Sequence, residues 1–349
     1  MPQQRDPSSP KLVGENARRS DVDQPWEQDN QAWWDWYLTL ADNSDDPVGE
    51  LRDGDPLPAL TASEGAASEG AAIDEAAIAE ELRAPFVLSS ADRAFFRDNG
   101  FIKLRGVLSP ASTLRLRQVL VELLSTTFDT VLDGGTTERF LSVELAWLHN
   151  RLLREYVLSP RIAKIAADLL DVPAVRLYHD NAMSKEPGCG RTPWHYDDHH
   201  FPLATHDVVT AWIPAQPISR VMGPLAFARP IDVHKLVESI AFNKFDTSYD
   251  RHVRDIFRSH AVAVEDGPFE IGEVSFHHNL SFHNAAANRT RQSRIVLANT
   301  YYADGARVVD SPTMVSGDWQ KFIPDTSPGE IAASPLNPVC WPAEPPTHV

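Results

Sequence analysis

The chain has 349 residues, 42% hydrophobic, 23% charged and 9% aromatic, which suits one large folded domain with appendages or two modest ones. No run approaches the roughly 18 apolar residues of a membrane span, the N-terminus lacks an apolar signal core, and Cys189 and Cys340 are too few for a disulfide framework or a thiolate cage, so a cytoplasmic protein is expected. A net charge of −17 argues against nucleic-acid and anionic-membrane partners.

That charge is uneven. Residues 1–85 hold 19 acidic and 6 basic groups, leaving 30 and 26 for everything after them. Residues 1–85 are therefore read as an acidic N-terminal extension and 86–349 as the main domain. Within the extension, about 26–40 (Trp26, Trp33, Trp34, Trp36, Tyr37, Leu38, Leu40) predicts a short helix with an aromatic face. Such a face packs on its own domain or docks a partner or a second subunit. The stretch 42–72, rich in Asp, Gly, Pro, Ala and Ser, predicts a flexible linker. Residues 71–83 allow a helical turn or two but are too polar for a core element.

From Pro85 the texture is globular. Ser90-Ala-Asp-Arg opens a capped helix ending at Asn99-Gly100, Phe101–Leu104 is a short strand, and Ser109-Pro110 starts a helix to about Phe128. Helices are expected near Glu144–Tyr156 and Ser159–Leu170. Short β runs follow at Ala174–Lys185, Asp207–Ile218, Pro224–Ala228, Val274–His277 and Arg294–Tyr302. Helices first and strands second predict α+β, with helices on one face of a sheet sandwich.

Histidine and arginine concentrate in three segments: Trp194–His200, Gly272–Asn284 and Arg289–Arg294. In a strand, residues i and i+2 share a face, so His195 and Asp197 can aim an imidazole and a carboxylate at one point. A distant histidine would complete a two-histidine, one-carboxylate set, which leaves about three octahedral positions open on a non-haem iron. A catalytic zinc prefers three histidines, or two with a glutamate.

These segments resemble the phytanoyl-CoA dioxygenase-like branch of the iron(II)/2-oxoglutarate-dependent oxygenases. The resemblance covers about residues 90–305. It is carried by Asn99-Gly100-Phe101, Trp194-His195-Tyr196-Asp197 with His199-His200-Phe201-Pro202 behind it, the tryptophan strand Val208–Pro214, and Gly223-Pro-Leu-Ala-Phe. The run Gly272–Arg294 completes it, with His283 and Arg294 eleven positions apart. It implies a double-stranded β-helix (jelly-roll, cupin-like) fold and an enzyme using Fe(2+), 2-oxoglutarate and O2. By the same resemblance His195, Asp197 and His283 are the iron ligands, and Arg294 grips the far carboxylate of 2-oxoglutarate. Trp212 lies near that cosubstrate or is a buried structural tryptophan, and Asn181 is a further cosubstrate contact. An aspartate at 197 favours hydroxylation over halogenation, where relatives carry Gly or Ala.

Arg291 reads as a solvated loop arginine, and His199 and His200 as pocket-lining or loop-capping groups. His277 or His278 is expected to make core hydrogen bonds. The chain departs from the family at Glu273 and at Arg229–His234, where a Pro-Gly-Ser-His turn is expected. Residues 232–260 are read as a lid-like insert or a surface excursion. The substrate is expected to be a small molecule, a secondary metabolite or one resembling an amino acid, because no Lys/Arg cluster suits a CoA pyrophosphate. The acidic arm is expected to be separate from the site, so that iron and cosubstrate bind without residues 1–72. The residues alone leave open a non-catalytic jelly-roll binding protein and a cupin-like hydrolase or isomerase.

Overall fold

The computed structural model describes residues 29–44, 47–54, 57, 74–133, 137–310, 312 and 319–342, and the account below concerns these. Trp26 and most of the linker expected over 42–72 lie outside them.

Helix α1 (Asn30–Tyr37) opens at Asp29, whose carboxylate accepts from the Ala32 N–H, and α2 (Glu75–Arg83) is capped in the same way by Asp74. Helix α3 (Ser90–Asn99) starts in a Ser89/Asp92 capping box and stops at Gly100, φ +78°, where β1 (Phe101–Leu104) begins. Ser109 caps α4 (Pro110–Phe128), which is followed by β2 (Phe140–Glu144), α5 (Arg151–Val157) and α6 (Pro160–Leu170). Strands β3 (Val175–Lys185), β4 (Thr192–His195), β5 (Val208–Pro214) and β6 (Leu225–Arg229) come next. Helix α7 (Ser248–Ser259) and β7 (Ala263–Glu265) precede β8 (Val274–His278), β9 (His283–Ala285), β10 (Arg294–Ala303) and β11 (Val339–Trp341).

The strands form two antiparallel sheets. The larger runs β1-β8-β5-β10-β3, with β2 and β11 sharing the far edge of β3, and the smaller runs β4-β9-β6-β7. Period-two alternation decides what each face of the larger sheet meets. Along β10, Ile295, Leu297 and Tyr301 enter the core shared with α4, α5 and α6, while Val296 and Ala298 meet the smaller sheet. Phe101 of β1 stacks on Phe227 of β6 with ring centres 4.4 Å apart, so the sheets close face to face. This is the jelly-roll of α+β class that the sequence predicts, with helices on one outer face.

Two expectations are corrected. Glu144–Tyr156 is not one helix: Glu144 ends β2, Leu145 turns with φ +54°, and α5 begins only after Asn150, whose side chain accepts from the Leu152 and Leu153 N–H groups. Nor is α2 too polar for the core. Ile78 and Leu82, one turn apart, are both buried, each contributing about 1.5–3 kcal/mol. Beside them Glu81 accepts from the Ser109 N–H (2.5 Å) and hydroxyl (2.8 Å) at the start of α4. One apolar stripe sufficed where mean polarity misled.

Asp180 is fully buried on β3, opposite Asn299 of β10, and burial pushes its pKa up to about 7. One carboxyl oxygen accepts from the Trp147 N–H and the other has no partner. A raised acid pKa contributes stability that is complete below the unfolded value and is lost as pH rises through about 7. Asp180→Asn is therefore expected to stabilise the protein at pH 8 more than at pH 5, read from urea midpoints of the two proteins at both values.

Candidate active site

Strands β4 and β9 pair so that His195 lies directly opposite His283, with ring centres 4.2 Å apart. Strand β4 ends at His195, and Asp197 opens a short 3-10 turn instead of continuing the strand. Extended backbone at Tyr196 (φ −132°, ψ 151°) still carries Asp197 to the His195 side, as i, i+2 spacing requires. Asp197 Oδ1 lies 3.7 Å from His195 Nε2 and 3.8 Å from His283 Nε2, and the ligating atoms of the three residues all fall within 4.8 Å of one another.

The tautomers follow from the neighbours. His195 Nδ1 faces the Pro193 carbonyl at 2.8 Å and His283 Nδ1 the Ser281 carbonyl at 3.0 Å. Carbonyls only accept, so each Nδ1 carries the proton and each Nε2 turns a lone pair inward. Burial, above all, keeps both imidazoles below their usual pKa. Burial would raise Asp197, but the imidazoles of His283, His277 and His195 override it and hold the carboxyl below the carboxylate range. Two imidazole nitrogens and a carboxylate oxygen thus converge in one buried site, and this donor set fits iron(II).

Arg294 starts β10 and is 1% exposed; burial lowers its pKa to about 10, so it stays cationic at neutral pH. Its Nη1 donates to the Gly223 carbonyl (2.5 Å), its Nε has no partner, and its guanidinium lies 5.3 Å from the Trp212 ring centre. Gly223 is required there: φ is +78°, and a Cβ would come within 2.4 Å of the Ala286 carbonyl. A buried guanidinium with no carboxylate partner among the described residues fits an anionic ligand. Trp212, Ala298 and Asn181 form one cross-strand row over β5, β10 and β3. His277, Thr210, Thr300 and His179 form the next row, with the Thr210 and Thr300 hydroxyls 3.0 Å apart. Both rows floor a cavity of about 160 Å³ that holds His195, Asp197, His283 and Arg294 in its walls. Asn181 does line it, its Oδ1 accepting from the Ser142 hydroxyl at 2.7 Å.

The roof overturns the expectation of a separate arm. Trp33, Trp34 and Tyr37 of α1 line the same cavity. The Tyr37 ring lies edge-on to His195 at 5.7 Å, and Trp34 stacks on Phe140 at 4.2 Å. The aromatic face is thus turned onto the chain's own site. Gln31 holds α1 down by donating to the Phe140 carbonyl (2.7 Å) and accepting from the Ser142 N–H (3.2 Å). The segment after α1 is tied as firmly. Asp250 of α7, 1% exposed, accepts from the Asp42 N–H (3.0 Å), the Trp194 N–H (2.9 Å) and Arg191 Nη1 (3.1 Å). One carboxylate thus joins the insert 232–260, the N-terminal segment and the strand bearing His195. Further on, Arg52 bridges Thr290, and Asp53 pairs with Arg291 at 3.0 Å.

The remaining candidates separate cleanly. Arg291 is exposed and away from the cavity. His200 lines it, edge-on to Trp33 at 5.7 Å. His278 Nδ1 accepts from the Leu280 N–H (3.2 Å), and burial lowers that imidazole to about 3. His277 faces the site, which the sequence reading missed. Alternation on β8 carried the signal, since Val274 and Phe276 face the helices.

A jelly-roll with two histidines, an aspartate and a buried arginine around one cavity defines a metal-dependent oxygenase. The family model of phytanoyl-CoA dioxygenase (PhyH) matches residues 96–296. The chain belongs to this family and is a non-haem iron, 2-oxoglutarate-dependent dioxygenase. Peroxisomal phytanoyl-CoA dioxygenase of Bos taurus is 25% identical over 251 residues, 62% of this chain and 71% of the bovine one. Among solved structures, the non-heme alpha ketoglutarate dependent carbocyclase SnoK from nogalamycin biosynthesis superposes with a TM-score of 0.59 at 23% identity, covering 73% of this chain and 99% of SnoK. The epimerase SnoN, in complex with Fe3+, alpha ketoglutarate and nogalamycin RO, gives 0.56 at 21%, covering 76% and 100%. At these identities the two structures speak for the fold. No helix among the described residues is long and apolar enough to cross a membrane.

Asp250→Ala leaves Arg191 buried without its carboxylate, which costs about 3–5 kcal/mol. Chemical denaturation is expected to show that loss, together with increased proteolysis between α1 and α2.

Proposed function

We propose that the protein hydroxylates an unactivated C–H bond of a small molecule, a secondary metabolite or one resembling an amino acid, with His195, Asp197 and His283 holding iron(II) and Arg294 binding the far carboxylate of 2-oxoglutarate. The observation that carries this reading is the convergence of the three ligand atoms in the cavity that also contains the unpaired guanidinium. Iron(II) bound there, with 2-oxoglutarate and O2, supplies the oxidising power: one oxygen atom leaves in succinate, carbon dioxide is released, and the other oxygen becomes the substrate hydroxyl.

The chain's own residues supply position and dryness. Arg294 presents its fork from the floor, with the Trp212 ring 5.3 Å from its guanidinium and Asn181 available to the bound acid. Trp33 and Tyr37 cover the ligand set and exclude water from it. Thr210, Thr300 and His179, further along the floor from Arg294 than Trp212 and Asn181, offer hydroxyl and imidazole groups to a substrate.

The substrate class follows from charge. Among the described residues, the lysines and arginines lining the cavity are Arg294 and Lys321, and Lys321 is paired with Glu144 at 2.7 Å. That leaves no cationic pair for a pyrophosphate, which disfavours an acyl-CoA. Residues 86–349 form the oxygenase domain in this reading, α1 is its roof, and the insert 232–260 is a lid pinned by Asp250.

His195→Ala is expected to abolish succinate formation from 2-oxoglutarate in the presence of Fe(II) and air; undiminished succinate would overturn the reading. Arg294→Gln is expected to weaken 2-oxoglutarate about 10- to 100-fold. Anaerobic titration of the visible charge-transfer band of the Fe(II) chelate measures it.

A further inference from the structure

We propose that His277 is a positioning residue for the metal-binding carboxylate, fixing Asp197 so that one oxygen, Oδ1, is offered between His195 and His283. This rests on the reading of those three residues as the iron ligands.

The two oxygens of Asp197 have different neighbours. Oδ1 faces the Nε2 atoms of His195 and His283 at 3.7 and 3.8 Å, whereas Oδ2 lies 3.4 Å from His277 Nε2. His277 is 2% exposed, and its Nδ1 is buried with no hydrogen-bond partner. A neutral imidazole carries a single N–H. On Nδ1 that proton would be stranded without an acceptor, and the Nε2 lone pair would point at a carboxylate oxygen. On Nε2 the N–H donates toward Oδ2 and the repulsion disappears. His277 therefore carries a proton on Nε2, the atom that His195 and His283 leave bare.

The position of the ring is fixed from all sides. His277 sits in β8 with a paired strand on each flank, opposite Phe101 of β1 and Thr210 of β5. Its ring centre is 4.5 Å from that of His283 and 5.7 Å from that of Phe227. A carboxylate free to turn could offer both oxygens to a metal and occupy two coordination positions. A donor on Oδ2 favours the one-oxygen mode and leaves more positions for cosubstrate and oxygen.

The test uses the full chain, freed of metal, and anaerobic titration with cobalt(II), whose visible absorption reports binding independently of turnover. His277→Phe keeps the bulk of the ring and removes the donor, and His277→Gln restores an N–H. The expected result is cobalt affinity about 10- to 100-fold weaker in His277→Phe, recovered to within a few-fold in His277→Gln. Equal affinity in His277→Phe and the unchanged protein overturns the proposal, as does equal weakening in both variants, which would make His277 a packing residue. His195→Ala serves as the control: if it binds cobalt as tightly as the unchanged protein, the triad itself has been misassigned.

Discussion

The short antiparallel pairing of β4 with β9 is the constraint on which the rest of the structure depends. It sets two imidazoles side by side with ring centres 4.2 Å apart, and one extended residue beyond the end of β4 delivers the carboxylate. Backbone hydrogen bonds do the aligning, so the side chains need no freedom to find one another. The larger sheet supplies what those two strands cannot. Its rows of cross-strand neighbours carry Arg294, Trp212 and Asn181 to one end of the floor and the threonine pair toward the other. Register in one sheet brings His195 and His283 together, and register in the other sets the order of the arginine end and the threonine pair along the floor.

A site of this kind gains from low water content, because buried charges interact more strongly there. The protein obtains a cover from sequence that lies before the family-matched segment. Helix α1 is too short to be stable alone; it persists because its aromatic face is buried and its polar residues bond to β2. Asp250 plays the matching role on the other flank. One buried carboxylate with three donors ties residues 232–260, the N-terminal segment and β4 together.

Much of this was legible in the sequence, and the reasons are local. His195, Asp197 and His283 could be named because motif spacing and strand alternation are properties of neighbouring residues, and Ser109, Ser159 and Gly100 announced helix ends by their own chemistry. What was not legible depends on distant partners. Trp33, Trp34 and Tyr37 showed an aromatic face without saying what it covers. The polar composition of α2 hid the two residues that matter to it. Strand β2 went unnoticed because Phe140–Glu144 alternates weakly and gains its identity only beside β3. His277 was overshadowed by the five other histidines of the same motifs, although its place on the inward face of β8 singled it out.

The amide of Gln31 has a consequence beyond shaping the pocket. Strand β2 is the outermost strand on its side of the sheet, and an uncovered outer strand presents N–H and carbonyl groups to any other extended chain. Gln31 accepts from the Ser142 N–H and donates to the Phe140 carbonyl, while Asn30 donates to the Ser142 carbonyl at 2.9 Å. Two side chains thus stand in for a missing strand. They satisfy the border of the sheet from within the same chain, so the helix that roofs the active site also guards the fold against templated self-association.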